Sequence, residues 1–310
     1  MSLIIFNPIY QERVWGGQSL ATKLGREIPS GRNIGESWEI VDRPEAMSRT
    51  DDGRSIRDLL ERDPQAIMGP GWPADRPFPI LVKWLDCREK LSLQVHPPAA
   101  VAPELGGEPK TENWYIADAQ PGATLMAGLK KGTTRAAFEA GLKNNQLEPL
   151  VHTLEVSKGE SIFIPSGRLH AIGGGNLILE IQQNSDTTYR VYDWGRVGLD
   201  GTPRQLHIDE SLASTDFDDF EPETVKTTDQ SQVLAESDVF DLKKVYLRDG
   251  EIVRFASGQP RIISLVDGQL ISSENERIKR SENALLPAFE AFELKAVGTC
   301  EFLLTENFNH

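Results

Sequence analysis

The sequence predicts a mainly β protein, built as a sandwich or barrel with a few short helices. Short stretches of alternating apolar and polar residues are separated by turns rich in Gly, Pro, Asn and Asp, which is typical of such folds. With 310 residues, 39% of them hydrophobic, the chain can bury one large core or two modest ones. The predicted strands are 36–41, 79–85, 91–96, 112–117, 123–127, 151–156, 160–164, 177–183, 188–192, 239–247, 251–255, 261–266 and 299–304.

Two segments carry apolar residues at helical spacing instead. The segment 55–68 begins with a serine, a residue that caps helix N-termini, and we predict one helix there. The segment 133–148 predicts one or two short helices.

An acidic stretch indicates a boundary between domains. Residues 209–223 contain seven acidic residues and no Lys or Arg, which is typical of a solvated linker. We therefore expect a ligand-rich domain over 1–208, which includes an N-terminal arm and the helices, and an acidic linker over 209–229. A smaller β domain over 230–310 holds one histidine, His310, and no cluster of metal ligands, so it is expected to be a degenerate β-barrel without a site.

Charge and composition exclude several classes of partner. The formal net charge of −14 repels phosphate backbones, so no nucleic acid is expected to bind. No stretch approaches the ~18 apolar residues of a membrane helix, and the N-terminal apolar run lacks the basic flank of a signal peptide. The two cysteines, Cys87 and Cys300, form no disulfide framework, and Cys87 is expected to be a buried thiol. We expect a cytoplasmic protein, monomeric or dimeric.

The candidate metal ligands begin on strand 91–96. Successive side chains of a strand point to opposite faces, so Gln94 and His96 lie on the same face. Glu112 follows after a loop, and a second strand and turn lead to His170. Two imidazoles and one carboxylate suit Zn²⁺ and also Fe²⁺, Mn²⁺ or Co²⁺, and the amide oxygen of Gln94 is a candidate fourth ligand.

The second strand and turn carry a recognisable spacing. Residues 159–170 read Gly-Glu-Ser-Ile-Phe-Ile-Pro-Ser-Gly-Arg-Leu-His, which resembles the second signature of the cupin β-barrels, a jelly-roll fold. The sequence departs from the cupin pattern in two places. Gly174 replaces the asparagine that normally ends this signature, and Gln94-Val-His96 replaces the His-x-His of the first signature.

A wider set of motifs occurs in order along the chain: Val14-Trp-Gly-Gly17, Gly35-Glu-Ser-Trp-Glu39, Gln94-Val-His-Pro97, Lys110-Thr-Glu112, the cupin strand ending at His170, and residues 180–196. Together these motifs resemble the type I mannose-6-phosphate isomerases. The resemblance covers about residues 1–260 and is closest to the shorter bacterial branch, which lacks a large inserted helical domain.

The resemblance implies an aldose–ketose isomerase that interconverts mannose 6-phosphate and fructose 6-phosphate with one bound Zn²⁺ per chain. The metal ligands that it implies are Gln94, His96, Glu112 and His170. The active-site arginine and lysines that it implies are Arg190, Lys83 and Lys110.

This chemistry moves a proton between C2 and C1 through a cis-enediol(ate), in which charge develops on two adjacent oxygens. Arg190 suits that charge because its planar fork bridges two oxygens and stays protonated. The base that moves the proton is open among Lys110, a metal-bound water, Asp186 and Glu180. We take Arg190, Lys110 and Asp186 as the catalytic candidates, and Lys83, Lys110 and Arg190 as the substrate-binding candidates.

Two other functions are considered. One is a cupin oxygenase with Fe²⁺ held by two histidines and a carboxylate, and the other is a cupin that binds a sugar phosphate without turning it over. Basic residues beside the ligands favour a phosphorylated sugar over an apolar substrate. The presence of Lys110, Glu112 and Arg190 together favours an enzyme over a binding protein.

Overall fold

A computed structural model of the chain describes residues 2–309 and shows a mainly β protein, so His310 lies outside the described residues. None of the helices within residues 2–309 has the length and apolar character needed to cross a membrane. The strands are β1 (Ile4–Ile5), β2 (Ile9–Gly17), β3 (Ile34–Ile40), β4 (Asp42–Arg43), β5 (Ala46–Met47), β6 (Ile80–Cys87), β7 (Leu93–Val95), β8 (Glu112–Ala119), β9 (Thr124–Leu129), β10 (Val151–Glu155), β11 (Glu160–Ile164), β12 (His170–Ile172), β13 (Asn176–Gln183), β14 (Tyr189–Tyr192), β15 (Val225–Lys226), β16 (Gln232–Ala235), β17 (Asp241–Leu247), β18 (Ile252–Phe255), β19 (Arg261–Ser272), β20 (Arg277–Lys279), β21 (Asn283–Leu286) and β22 (Phe292–Glu306). The helices are α1 (Ser19–Thr22), α2 (Ile56–Arg62), α3 (Pro64–Met68), α4 (Arg135–Lys143), α5 (Ile208–Ser214) and a 3₁₀ turn at Glu148–Leu150.

The prediction of a mainly β chain with few short helices is confirmed, and every predicted strand overlaps an observed one. The predicted helix over 55–68 is divided into α2 and α3. Asp63 ends α2 and its side chain accepts the Ala66 N–H, so it caps α3 as well. Pro64 has no N–H to continue the first helix, and the first turn of a new helix tolerates proline.

The internal contacts divide the chain into two compact units. The unit that contains the candidate metal ligands, here the ligand unit, comprises Tyr10–Glu36 and Trp84–Lys226, and the terminal unit comprises Met1–Ile9, Ser37–Lys83 and Thr227–His310. The sequence predicts consecutive domains over 1–208 and 230–310, whereas the observed units alternate along the sequence. The difference arises because the chain passes between the units within β3 and β6, so each of these strands contributes to both.

Two sheets build the ligand unit. One has five strands in the order β10-β9-β12-β7-β14, and the other has seven in the order β15-β11-β8-β13-β6-β3-β2. Apolar side chains from both sheets pack into one core, which is the arrangement of a cupin barrel; they include Leu125, Ala127, Ile172, Trp114, Ile162 and Ile178. The alternate residues of the five-stranded sheet face a second core, which Phe138 of α4 completes.

The terminal unit contains one eight-stranded sheet with the central order β1-β21-β19-β22-β17-β16. The long strands β19 and β22 are antiparallel partners over most of their length. Their inward residues, among them Ile263, Leu265, Leu294 and Phe302, form a separate apolar core. The strands β16–β22 of this sheet lie within 230–310, and β1 joins them from the N-terminal end of the chain.

Part of the predicted acidic linker is regular secondary structure. Helix α5 runs from Ile208 to Ser214, and β15 pairs with β11. The prediction of a solvated linker is wrong for these residues because the buried side chains of α5 are the small polar Ser211 and Ser214, which produce no apolar periodicity. Two acidic residues stand in the first turn of α5, where the helix dipole favours negative charge.

Cys87 is a free, fully buried thiol at the end of β6, as expected. Burial and the adjacent Asp86 carboxylate raise its pKa well above the usual value, which suppresses the reactive thiolate. We expect iodoacetamide to leave Cys87 unmodified in the native protein and to modify it in denaturant. Peptide mass spectrometry measures this, and rapid modification of the native protein would contradict the assignment.

Candidate metal centre

Three buried ligand-type side chains converge inside the ligand unit. His96 directly follows β7 and His170 begins β12, so both come from the five-stranded sheet. Glu112 begins β8 of the seven-stranded sheet. The ligand atoms of the three residues lie within 4.8 Å of one another, and all three side chains are buried. The two sheets therefore bring two imidazoles and a carboxylate to one point.

The backbone fixes the direction of each imidazole. His96 Nδ1 donates a hydrogen bond to the carbonyl oxygen of Thr187, and His170 Nδ1 donates to that of Arg168, both at 2.8 Å. This leaves each Nε2 without a proton, and these atoms lie 3.4 Å and 3.5 Å from the two oxygens of Glu112; His96 Nε2 accepts a hydrogen bond from Lys110 Nζ. Such Nδ1–H bonds are the usual way in which proteins orient metal-binding histidines.

The site leaves buried acceptors unsatisfied. Within residues 2–309, neither Glu112 Oε1 nor His170 Nε2 has a hydrogen-bond partner. Glu112 Oε2 forms an ion pair with Lys110 Nζ at 2.8 Å. A buried polar atom without a partner costs about 1–3 kcal/mol, and a cation among these atoms would remove that cost. The donor set thus fits a divalent metal ion with two nitrogen ligands and one carboxylate.

Burial and charge give these groups the protonation states that a metal needs. Burial and the Lys110 ammonium lower the pKa of His96 to about 3, and burial lowers the pKa of His170. Burial alone would raise the pKa of Glu112, but Lys110 and the two imidazoles hold it well below the usual value. At neutral pH the site therefore presents two neutral imidazoles and a carboxylate.

Lys110 is a buried cation beside this set. Its Nζ lies 3.2 Å from His96 Nε2 as well as 2.8 Å from Glu112. Burial alone would lower the pKa of Lys110, but the carboxylates of Glu112 and Glu180 raise it above the usual value. The amine therefore stays protonated at neutral pH, because the two carboxylates stabilise its positive charge.

Gln94 lies next to His170 on the inner face of the five-stranded sheet. It is the direct cross-strand partner of His170 on one side and of Arg190 on the other. Directly opposed residues of antiparallel strands share one face, so the three side chains form a row. The ligand role of Gln94 stays a prediction.

Arg190 is half-buried at the outer end of this row. Its Nη1 donates to the carbonyl oxygen of Gln205 at 2.7 Å, and its buried Nε has no hydrogen-bond partner. Nearby, Arg196 and Arg204 both bind the carboxylate of Asp193. The sequence analysis did not identify the group formed by Asp193, Arg196 and Arg204, although Asp193 and Arg196 lie inside the family motif at 180–196.

The other predicted site residues are more dispersed. Asp186 is exposed in the loop between β13 and β14, and its charge contributes to the raised pKa of Lys110. Lys83 is buried on β6, belongs to the terminal unit, and holds its Nζ 4.8 Å from the ring centroid of Trp38. The roles of Asp186 and Lys83 stay predictions.

Comparison with known proteins gives the family. Residues 3–127 match the family described as phosphomannose isomerase type I, catalytic domain. The probable mannose-6-phosphate isomerase GmuF of Bacillus subtilis (strain 168) is 33% identical over 97% of this chain and 98% of that protein. The chain belongs to the type I phosphomannose isomerase family. The family, the reaction class of aldose–ketose isomerisation and the cupin fold that the sequence predicts are therefore confirmed.

Two further comparisons support this membership. The mannose-6-phosphate isomerase ManA of B. subtilis is 38% identical over 67% of this chain and 66% of that protein. The crystal structure of the mannose 6-phosphate isomerase from B. subtilis superposes with a TM-score of 0.83 at 28% identity and covers 98% of this chain and 99% of that one. The similarity to phosphomannose isomerases thus extends through both units.

Proposed function

We propose that this chain interconverts mannose 6-phosphate and fructose 6-phosphate at the site formed by His96, Glu112 and His170. We further propose one Zn²⁺ per chain, with other divalent ions as alternatives, and Gln94 as an additional ligand. The observation that carries the proposal is the buried, unsatisfied donor set, with a cationic lysine against it, in a chain of this family. A small sugar phosphate is the substrate of this monomer or dimer.

A divalent ion in this site would supply positive charge close to the substrate oxygens that become anionic. Without a metal Lys110 is protonated, so it can donate a hydrogen bond to developing negative charge. A divalent ion at Glu112 would offset the carboxylate charge that raises the pKa of Lys110. Lys110 and Asp186 are therefore the catalytic candidates that could accept the C2 proton and return it to C1. The Arg190 fork keeps O1 and O2 aligned across the cis-enediolate.

The basic residues near the outer end of the row fit the phosphate group. Arg196 and Arg204 bind the single carboxylate of Asp193, and Arg190 lies within its electrostatic influence, so these four residues together retain net positive charge. Lys83 is the further cation that we propose for substrate binding. We also infer a cytoplasmic location, where the two free cysteines would stay reduced.

Chelation should abolish activity reversibly, because the two imidazoles and the carboxylate converge as ligands for a divalent ion that the proposed reaction requires. The measurement is a coupled assay of fructose 6-phosphate formation from mannose 6-phosphate before chelation, after it, and after addition of Zn²⁺. Full activity in protein shown to be free of metal would contradict the proposal. Oxygen consumption with Fe²⁺ in place of isomerisation would support the cupin oxygenase instead.

A further inference from the structure

Residues Asp216–Glu221, here called the strap, lie against the turn that carries His170. The backbone N–H of Asp216 donates to the carbonyl oxygen of Gly167 at 2.9 Å. The N–H of Gly167 in turn donates to the carbonyl oxygen of the other histidine ligand, His96, at 2.8 Å. The strap is therefore joined by a backbone hydrogen bond to the turn that precedes His170, and that turn is joined by another to His96.

The far end of the strap is attached to β9, the strand beside β12. Leu129 N–H donates to the carbonyl oxygen of Asp219 at 2.9 Å, and Glu221 N–H donates to that of Leu129 at 3.0 Å. Because these bonds involve only backbone atoms, side-chain substitutions in the strap leave them in place. The effect of the Asp219 side chain can thus be tested separately from the path of the strap.

Both carboxylate oxygens of Asp219 accept hydrogen bonds from the guanidinium of Arg168. Arg168 Nε and Nη2 donate to the two Asp219 oxygens at 2.8 Å and 2.7 Å, and Nη1 donates to the carbonyl oxygen of Phe163 at 2.6 Å. Both side chains of the pair are only 15% exposed. A bidentate pair with this little solvent contact is more rigid than an ordinary surface ion pair.

Arg168 is also the residue that orients His170. Its carbonyl oxygen accepts the His170 Nδ1–H bond at 2.8 Å, which directs Nε2 towards Glu112. A shift of the Arg168 backbone would rotate the imidazole away from the other ligands. Substitutions of groups that orient a metal ligand typically reduce metal affinity by about 10- to 100-fold.

We propose that Asp219, acting through Arg168, is a positioning residue for the metal ligand His170 and slows the release of the metal. The inference rests on the proposed metal-dependent function. Asp219 contacts neither the metal ligands nor the substrate candidates; its effect passes through the Arg168 guanidinium and backbone to a single imidazole.

The test measures the rate at which Co²⁺-loaded protein releases its metal to an excess of chelator, followed by the visible absorption of Co²⁺. We expect Asp219→Ala and Arg168→Ala each to speed release by about 10-fold or more and to change the Co²⁺ spectrum. Because both act through one pair, the double variant should release Co²⁺ no faster than the singles. Asp219→Asn, which keeps one acceptor, should fall between wild type and Asp219→Ala.

The matched control is Glu306→Ala in the terminal unit. Glu306 binds Arg261 in a pair of similar burial and also contacts Lys243 and Gln259, so its loss should lower thermal stability at least as much and leave the release rate and spectrum unchanged. Wild-type release from Asp219→Ala, additive effects in the double variant, or faster release from Glu306→Ala would overturn the positioning role. Wild-type protein that binds no Co²⁺ would overturn the proposed function and this inference with it.

Discussion

Replacing His170 with alanine should remove the bound metal and the isomerase activity together. The imidazole is fully buried, its Nδ1 is held by the Arg168 carbonyl, and its Nε2 is one of three ligand atoms around the site. Without this imidazole only His96, Glu112 and the neutral amide of Gln94 remain to bind a divalent ion, and the positive charge contributes several kcal/mol at the developing oxyanion. We expect metal content to fall from one per chain to near zero and kcat/KM to fall by about 10³-fold or more.

Atomic emission spectroscopy of dialysed protein and the coupled isomerase assay measure the two effects. His152→Ala is the matched control, because His152 lies on β10, is only partly buried, and stands outside the ligand group. That variant should keep its metal and activity. Stoichiometric metal and full activity in His170→Ala would show that the imidazole is not a ligand.

The convergence of His96, Glu112 and His170 is predictable from the sequence because each depends on local geometry. Strand alternation fixes which face His96 takes, and the Pro-x-Gly turn fixes the direction of the chain before His170. The turn glycine, Gly167, has φ = +94°, a conformation that residues with a Cβ adopt at a cost. Positions that demand special backbone conformations leave a signature in sequence, so the cupin spacing is informative.

The contacts that support the site are not predictable in this way. Arg168 and Asp219 are 51 residues apart, and the acidic composition around Asp219 indicates solvent exposure, whereas the pair is mostly buried. Arg168 could equally have been a free cation for the phosphate. Its carbonyl contact with His170 involves a backbone atom, which has no sequence signature. Long-range ion pairs and hydrogen bonds to backbone carbonyls can therefore be identified only from the three-dimensional structure.

The division of the chain into two compact units could not be predicted from the sequence for the same reason, since it too depends on long-range contacts. A linear sequence shows composition changes, and the acidic stretch after residue 208 is the largest of these. The segment Ser37–Lys83 joins the terminal unit through contacts with residues far along the chain, such as the hydrogen bond from Asn283 to the buried Glu39. Neither residue has a local pattern that would indicate its partner.

Replacing Arg190 with alanine should lower kcat by about 10²- to 10³-fold while the metal content stays near one per chain. Arg190 lies two strands from His170, on the same face, and it makes no contact with His96, Glu112 or His170 among those that the structure records. Among the described residues its buried Nε has no hydrogen-bond partner, and we propose that its guanidinium turns to a substrate oxygen when substrate binds. Steady-state kinetics and metal analysis of the same preparation measure both quantities.

Arg190→Lys distinguishes charge from geometry. Lysine keeps the positive charge and loses the planar fork, so its kcat should lie between those of the alanine variant and the wild type if the fork aligns two oxygens. Arg54→Ala is a suitable control, since Arg54 is exposed in the terminal unit and pairs with Asp52. Loss of metal from Arg190→Ala would assign the residue to the support of the metal site, and wild-type kcat would remove it from catalysis. Metal content and kcat should therefore respond to different residues, because His96, Glu112 and His170 would hold the metal while Arg190 lies two strands away.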